Sequence, residues 1–234
     1  MSERPLVVAV DGPSGSGKSS VAKGVATRFG YRYLDTGAMY RAATWLVLER
    51  GADPSDPRAV RALLTDMDII SGTDPENPTI RIAGVDVGGP IRGTRVTDSV
   101  SAVSAVPDVR ALLRRLQRAE VSQAIASGHG IVVEGRDIGT EVLPDADVKV
   151  FLTADPAVRA ARRAAQDAQE RRPSSGVEAT EEALRERDRK DSTRTHSPLR
   201  MHDDATLVDA TDMDLAQTID AVALLVLSVR EESR

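Results

Sequence analysis

Gly12-Pro13-Ser14-Gly15-Ser16-Gly17-Lys18-Ser19 puts three glycines and three serines into eight positions, with Ser20 following at once. A strand interior would be weakened by those glycines, and a helix would lose about 1 kcal/mol of propensity at each relative to alanine. Bare backbone does have a use: its N–H groups can close around an anion, while the N-terminus of a following helix adds partial positive charge. The spacing G-x-x-x-x-G-K-S is that of a phosphate-binding loop. On this reading residues Gly12 to Ser20 hold the phosphates of ATP, Lys18 reaches the β- and γ-phosphates, and Ser19 ligates Mg2+. An ordinary glycine-rich turn needs one or two glycines and has no use for Gly-Lys-Ser.

The loop requires a strand before it and a helix after it. Leu6 to Val10 is an apolar, β-branched run, and Val21, Ala22, Val25 and Phe29 recur at helical spacing. Gly30 is a plausible helix stop, and Tyr31 to Leu34 reads as a short strand leading into a helix that runs from Asp35 to about Arg50. From Asp66 to Pro90 the character changes, with β-like pieces at Ile69-Ile70, Thr79 to Ile82 and Val85 to Val87 between Gly, Pro, Asn and Asp. Helices are expected over Ile91 to Ala105 and Pro107 to Ser127. Strands follow at Ile131 to Val133 and Val148 to Leu152, a helix from near Asp155, then a strand at Leu207-Val208 and a helix over Leu215 to Val229. Alternating strands and helices predict an α/β fold with a parallel sheet covered on both faces. A polar stretch, Glu170 to Thr180, breaks two charged helices and reads as a mobile segment.

Composition narrows the class. The chain has 234 residues, enough for one large core with a small inserted lobe, and no cysteine, which excludes disulfides and thiol chemistry. The start reads Met-Ser-Glu-Arg-Pro with no apolar signal segment, and no apolar run approaches membrane-spanning length, so a soluble cytoplasmic protein is expected. A net charge of −5 speaks against coating nucleic acid. Yet 27 of the 31 basic residues are arginine, the side chain suited to bidentate phosphate recognition, although a genome that favours arginine codons would give the same count.

Phosphate loops serve motors, switches and kinases alike, so a second site must decide the function. Three phrases supply it: Asp35-Thr36-Gly37-Ala38-Met39-Tyr40-Arg41, Glu134-Gly135-Arg136-Asp137-Ile138-Gly139-Thr140, and the run Glu186 to Arg194. Together, in this order, they resemble the bacterial cytidylate kinases over nearly the whole chain. The resemblance implies a P-loop NTPase-type three-layer α/β fold with a five-stranded parallel sheet. Its core would be about residues 1–65 and 106–234, with a strand-rich acceptor-binding insertion at about 66–105 and a lid at about 159–180. It implies transfer of phosphate from ATP to CMP or dCMP. Ser101, Arg110 and Asp137 would then read cytosine, with Thr36 beside the acceptor. Arg187 and Asp191 would hold the ribose, and Arg41, Arg136 and Arg194 would clamp the acceptor phosphate. Arg159, Arg162 and Arg163 match lid arginines that approach the transferred group. Thr36 stands where some relatives have serine, and Glu134 where some have aspartate.

The chemistry makes the same residue types sensible. Pressing two polyanions together demands positioning and charge neutralisation, and an acceptor phosphate is already ionised, so many arginines and no general base are expected. His129, His196 and His202 accordingly read as structural or solvent-facing. Arg114 and Arg118 recur with Arg110 at four-residue spacing opposite Leu112, Leu113 and Leu116, which predicts mostly a solvated helix face. The arginines from Arg159 to Arg172 could form a surface helix or a nucleic-acid patch, but Asp167 and Glu170 speak against the latter. A guanine-reading switch would normally carry Asn-Lys-x-Asp, which does not occur. A kinase for UMP or for a small hydroxyl acceptor is the remaining alternative. A monomer is expected.

Overall fold

In the computed structural model, residues 4–169, 176–194 and 197–232 are described. The stretch 170–175, which carries most of the polar break, and His196 lie outside them.

Five parallel strands form the central sheet: β1 (Val7–Asp11), β2 (Arg32–Asp35), β6 (Ile131–Glu134), β7 (Val148–Thr153) and β8 (Thr206–Asp209), in the order β2-β6-β1-β7-β8. Alternation sorts their side chains. Val8, Val10, Val132, Val150 and Leu152 pack on one face beneath α1 (Lys18–Phe29) and α8 (Leu215–Glu232). Ala9, Leu34, Ile131 and Val133 face the other way, against α2 (Thr36–Glu49) and α5 (Pro107–Ala126). Both faces are therefore dry, as a parallel sheet requires. The carboxyl ends of the central strands lead into the phosphate loop after β1 and the Gly135-Arg136-Asp137 turn after β6, where ligands of open α/β sheets gather.

Within 66–105 a second, antiparallel sheet forms from β3 (Ile69–Ser71), β4 (Ile80–Ile82) and β5 (Val85–Asp86). Ala83 and Gly84, both at positive φ, make its tight hairpin. Ile69, Ile80 and Ile82 join the same apolar cluster as Met39 and Leu46 of α2, so this sheet has no core of its own.

The helix expected over Ile91 to Ala105 is split. Pro90–Arg92 is a single tight turn, and α4 (Thr94–Ala105) begins only after Gly93, whose extended backbone ends the turn. One short helix, α3 (Pro57–Ala62), was not foreseen. Its signals are Asp56 accepting from the Arg58 N–H at 2.9 Å and Pro57 in the first turn. Helices α6 (Pro156–Gln169) and α7 (Val177–Ser192) pack together above the phosphate loop.

Candidate active site

The loop owes its shape to its glycines. Gly12 has φ +147, and a Cβ there would lie 2.0 Å from the Leu152 carbonyl oxygen of β7. Gly17, at φ +93, turns the chain into α1. Lys18 is buried, and its ammonium donates to the Pro13 carbonyl at 2.6 Å and lies 3.5 Å from the Ser16 hydroxyl. Burial first, and Arg136 second, push its pKa down to about 7, against the pull of Glu134.

A cleft of about 880 Å3 opens in front of this loop, running from Ser14 to Ser20 past Arg41, Arg136 and Arg187 to Leu215. Among the described residues, eight lysines and arginines line it against three carboxylates, so its field selects anions. The cations also oppose one another. Burial, then repulsion from neighbouring arginines, brings Arg41 down to about 10 and Arg187 to about 9, with Asp35 and Asp191 partly offsetting each. Arg41 is held by the Ile91 carbonyl at 3.2 Å and the Thr97 hydroxyl at 3.0 Å, which ties α2 to the head of α4. Arg136 donates to Asp191 at 3.0 Å, and Asp191 also pairs with Arg194.

Beside the cleft, outside its lining, sits a buried polar cluster. Arg110 pairs with Asp137 at 2.5 Å, donates to the Ser104 carbonyl at 3.1 Å, and lies 5.3 Å from the centre of the Tyr40 ring. Burial works against the charge on Arg110, but Tyr40 and Asp137 outweigh it, and its pKa is raised. Arg194 donates to the Ser104 hydroxyl at 3.0 Å, and that hydroxyl donates to the Ser101 carbonyl at 3.1 Å. Arg110, Asp137, Asp191, Arg194 and Ser101 thus come together. Thr36 is buried in the first turn of α2, where its hydroxyl donates to the Glu134 carbonyl at 2.7 Å.

Arg162 and Arg163 line the cleft. Arg162 reaches the carbonyls of Ala210 at 2.7 Å and Met213 at 2.8 Å, and Arg163 pairs with Asp167 at 3.1 Å. Arg159 does not line it. Its guanidinium lies behind the loop, donating to the carbonyls of Ser14 at 2.9 Å and Ala154 at 3.0 Å and pairing with Asp188. Of the stripe on α5 only Arg110 is buried, while Arg114 is half-buried and Arg118 exposed, as expected of a mostly solvated face. Even so, Arg118 donates to the carbonyls of Val142 at 2.7 Å and Glu141 at 3.0 Å, and Arg114 to the Ser197 hydroxyl at 3.3 Å. That face of α5 is turned toward the residues after Asp137. His129 and His202 lie outside the cleft, beside Ser127 and Asp204.

Oxygen donors suited to a hard cation meet at the cleft edge. The Ser19 hydroxyl, exposed at the start of α1, stands beside Glu134, which accepts from the Tyr33 hydroxyl at 2.5 Å. Burial, then Asp35, raises the Glu134 pKa, and Lys18, Ser19 and Tyr33 act in the other direction. Among the described residues no group of three carboxylate, histidine or cysteine side chains forms a metal cage. A hydroxyl with one or two nearby carboxylates fits an ion that keeps its waters and shares a phosphate.

Four contributors escaped the sequence reading. Asp11 accepts from the N–H groups of Ile138 at 2.8 Å and Gly139 at 2.7 Å, and Asp188 accepts from the Ser14 N–H at 2.9 Å. Tyr40 and Ser104 complete the buried cluster. Each stands within three positions of a residue already singled out, and spacing alone did not separate it from its neighbours.

A family model described as cytidylate kinase matches residues 8–227. Curated cytidylate kinases are similar over nearly all of both chains. That of Streptomyces avermitilis is 53% identical, covering 94% of this chain and 92% of the relative. That of Rhodococcus opacus is 50% identical, covering 100% and 98%. Among solved structures, an uncharacterized protein from Eubacterium ventriosum superposes with a TM-score of 0.51 at 12% identity, over 98% of this chain and 99% of that one. TT1252 from Thermus thermophilus does so with 0.50 at 17%, over 96% and 97%. These two likenesses speak to the fold alone. A family model over residues 8–227, and half the residues shared with curated kinases over nearly the whole of both chains, settle the lineage: the chain belongs to the cytidylate kinase family.

Proposed function

We infer that the protein transfers the terminal phosphoryl group of ATP to the phosphate of CMP or dCMP, giving ADP and CDP or dCDP. The observation that carries the reading is a single cleft lined both by the phosphate loop and by Arg41, Arg136 and Arg187. Two phosphate groups meeting there supply the negative charge that these mutually repelling cations lack.

An oxygen of the acceptor phosphate attacks the γ-phosphorus as its bond to the β-bridging oxygen breaks. Both groups are anions at neutral pH, so no proton need move, which suits a cleft with no histidine in its lining among the described residues. Loop N–H groups and Lys18 hold the donor, and Lys18 is charged when phosphate lies against it. Arg41, Arg136 and Arg194 orient the acceptor phosphate, with Arg187 and Asp191 at its ribose. Arg162 and Arg163 face the space between. Mg2+, entering with ATP, would be held by the Ser19 hydroxyl with Glu134 and Asp35 nearby, and when bound it neutralises charge on the β- and γ-phosphates.

Cytosine would be read by Asp137, with Ser101 and Arg110. An ion-paired carboxylate only accepts hydrogen bonds, so it takes the amino group of cytosine and repels the carbonyl of uracil. Release of ADP, followed by a coupled assay across CMP, dCMP, UMP, AMP and GMP, tests the assignment. CMP and dCMP should exceed the others by about 100-fold or more in kcat/KM. Comparable rates with UMP or a purine nucleotide would remove cytosine from the reading.

A further inference from the structure

We propose that Asp11 is a positioning residue for the acceptor site, fixing the turn that bears Arg136 and Asp137 at a set distance from the phosphate loop. The inference rests on the acceptor reading above. Asp11 ends β1, and the phosphate loop starts at the next residue. Its two side-chain oxygens accept from two successive N–H groups, Ile138 at 2.8 Å and Gly139 at 2.7 Å. These follow directly on Asp137. The carbonyl of Asp137 is held as well, accepting from Glu141 at 2.9 Å and Val142 at 3.2 Å. Both sides of the peptide joining Asp137 to Ile138 are therefore fixed, and the direction of the Asp137 side chain toward Arg110 follows from them.

Asp11 is 5% exposed, and among the described residues no lysine or arginine forms an ion pair with it. Burial raises its pKa to about 6, against the lowering by the two N–H groups. A buried carboxylate without an ion pair among the described residues is an expensive way to satisfy two amides that water or a neutral side chain could serve singly. What it adds is a rigid fork that neither supplies. Transfer between two phosphates demands near-attack geometry, and displacement by about 1 Å costs about 100-fold in rate.

The test is Asp11→Asn, which keeps the volume but turns an N–H2 toward one of the two N–H donors, with Asp11→Ser as a smaller second variant. Affinity for a non-hydrolysable ATP analogue, measured by calorimetry, should stay within about twofold of the wild type. KM for CMP should rise by about tenfold, and the CMP-over-UMP ratio of kcat/KM should fall by a similar factor. A lowered Tm with KM and the CMP/UMP ratio unchanged, or equal losses of ATP and CMP affinity, would overturn the proposal. Should Asn at this position prevent folding, the Ser variant decides by the same split. A wild type that does not prefer CMP overturns the acceptor reading before any substitution is made. The split between ATP affinity and KM then decides Asp11 with whichever acceptor the wild type uses.

Discussion

At the scale of single residues, the informative side chains are the buried ions, because a charge withdrawn from water persists only where something uses or neutralises it. Arg110 and Asp137 are such a pair, 4% and 6% exposed. On the proposed reading, removing the carboxylate has two effects on a cytidine acceptor: the amino group would lose its partner, and Arg110 is left buried with one bond to the Ser104 carbonyl. Asp137→Ala should lower kcat/KM for CMP by at least about 100-fold and shrink the CMP-over-UMP preference. Arg136→Ala, one residue earlier and on the phosphate side, should harm both acceptors alike. Steady-state kinetics of the two variants on both nucleotides make the comparison. If Asp137→Ala slows CMP and UMP equally, Asp137 holds Arg110 in place and does not read the base.

Elements carry the next level of constraint. Helices α6 and α7 meet the phosphate loop around one residue: Asp188 of α7 accepts from the Ser14 N–H, Arg159 of α6 donates to the Ser14 carbonyl, and the two side chains pair with each other. A Cβ at Gly15 would stand 3.1 Å from the Arg159 carbonyl oxygen and 3.3 Å from Leu184, so this glycine serves the seating of the helices as well as the loop turn. Asp188→Asn keeps an acceptor for Ser14 but removes the counter-charge of Arg159, leaving it the carbonyls of Ser14 and Ala154, at a cost of about 3 kcal/mol. KM for ATP should rise about tenfold while KM for CMP changes by less than about twofold. Initial rates at varied ATP and fixed CMP, and the converse, check this, and a matching rise in both KM values would show that the contact braces the whole cleft.

The same scale explains what could be read beforehand. Strand and helix order followed from apolar runs and glycine stops, because a parallel sheet covered on both faces imposes period and length on the sequence. The phosphate loop was legible since its function needs backbone in places where only glycine fits. Asp11, Asp188 and Ser104 were not, because each acts by contact with residues 90 to 174 positions away, as with Asp188 and Ser14. Nor did the four-residue spacing of Arg110, Arg114 and Arg118 reveal a partner: amphipathic periodicity marks which face of α5 is polar and leaves open whether solvent or the turn after β6 lies against it.

For the whole molecule, the positively charged cleft sets stability against function. Arg187 has a buried Nε without a hydrogen-bond partner among the described residues and is surrounded by Arg136, Arg41 and Arg163, with Asp191 as its counterweight. Its pKa is lowered to about 9, so at neutral pH the folded state holds a charge that the unfolded chain carries more easily. The sign follows: a base lowered on folding costs stability below its folded pKa, and the cost is relieved only as pH rises through about 9. Arg187→Met, which keeps the length and removes the charge, should therefore stabilise the free protein by about 1–2 kcal/mol, a rise in Tm of about 3–6 °C for a chain of this size. Asp191 keeps Arg136 and Arg194 as partners in the variant, so no carboxylate is stranded. With saturating CMP the order should reverse, because the wild type gains about 3 kcal/mol at a hundredfold excess over Kd and the variant has lost a ligand contact. Calorimetric melts of both proteins, alone and with CMP, give the four Tm values. A variant less stable than the wild type in the absence of nucleotide would mean that Asp191 already neutralises Arg187 and that the cleft carries no stored repulsion.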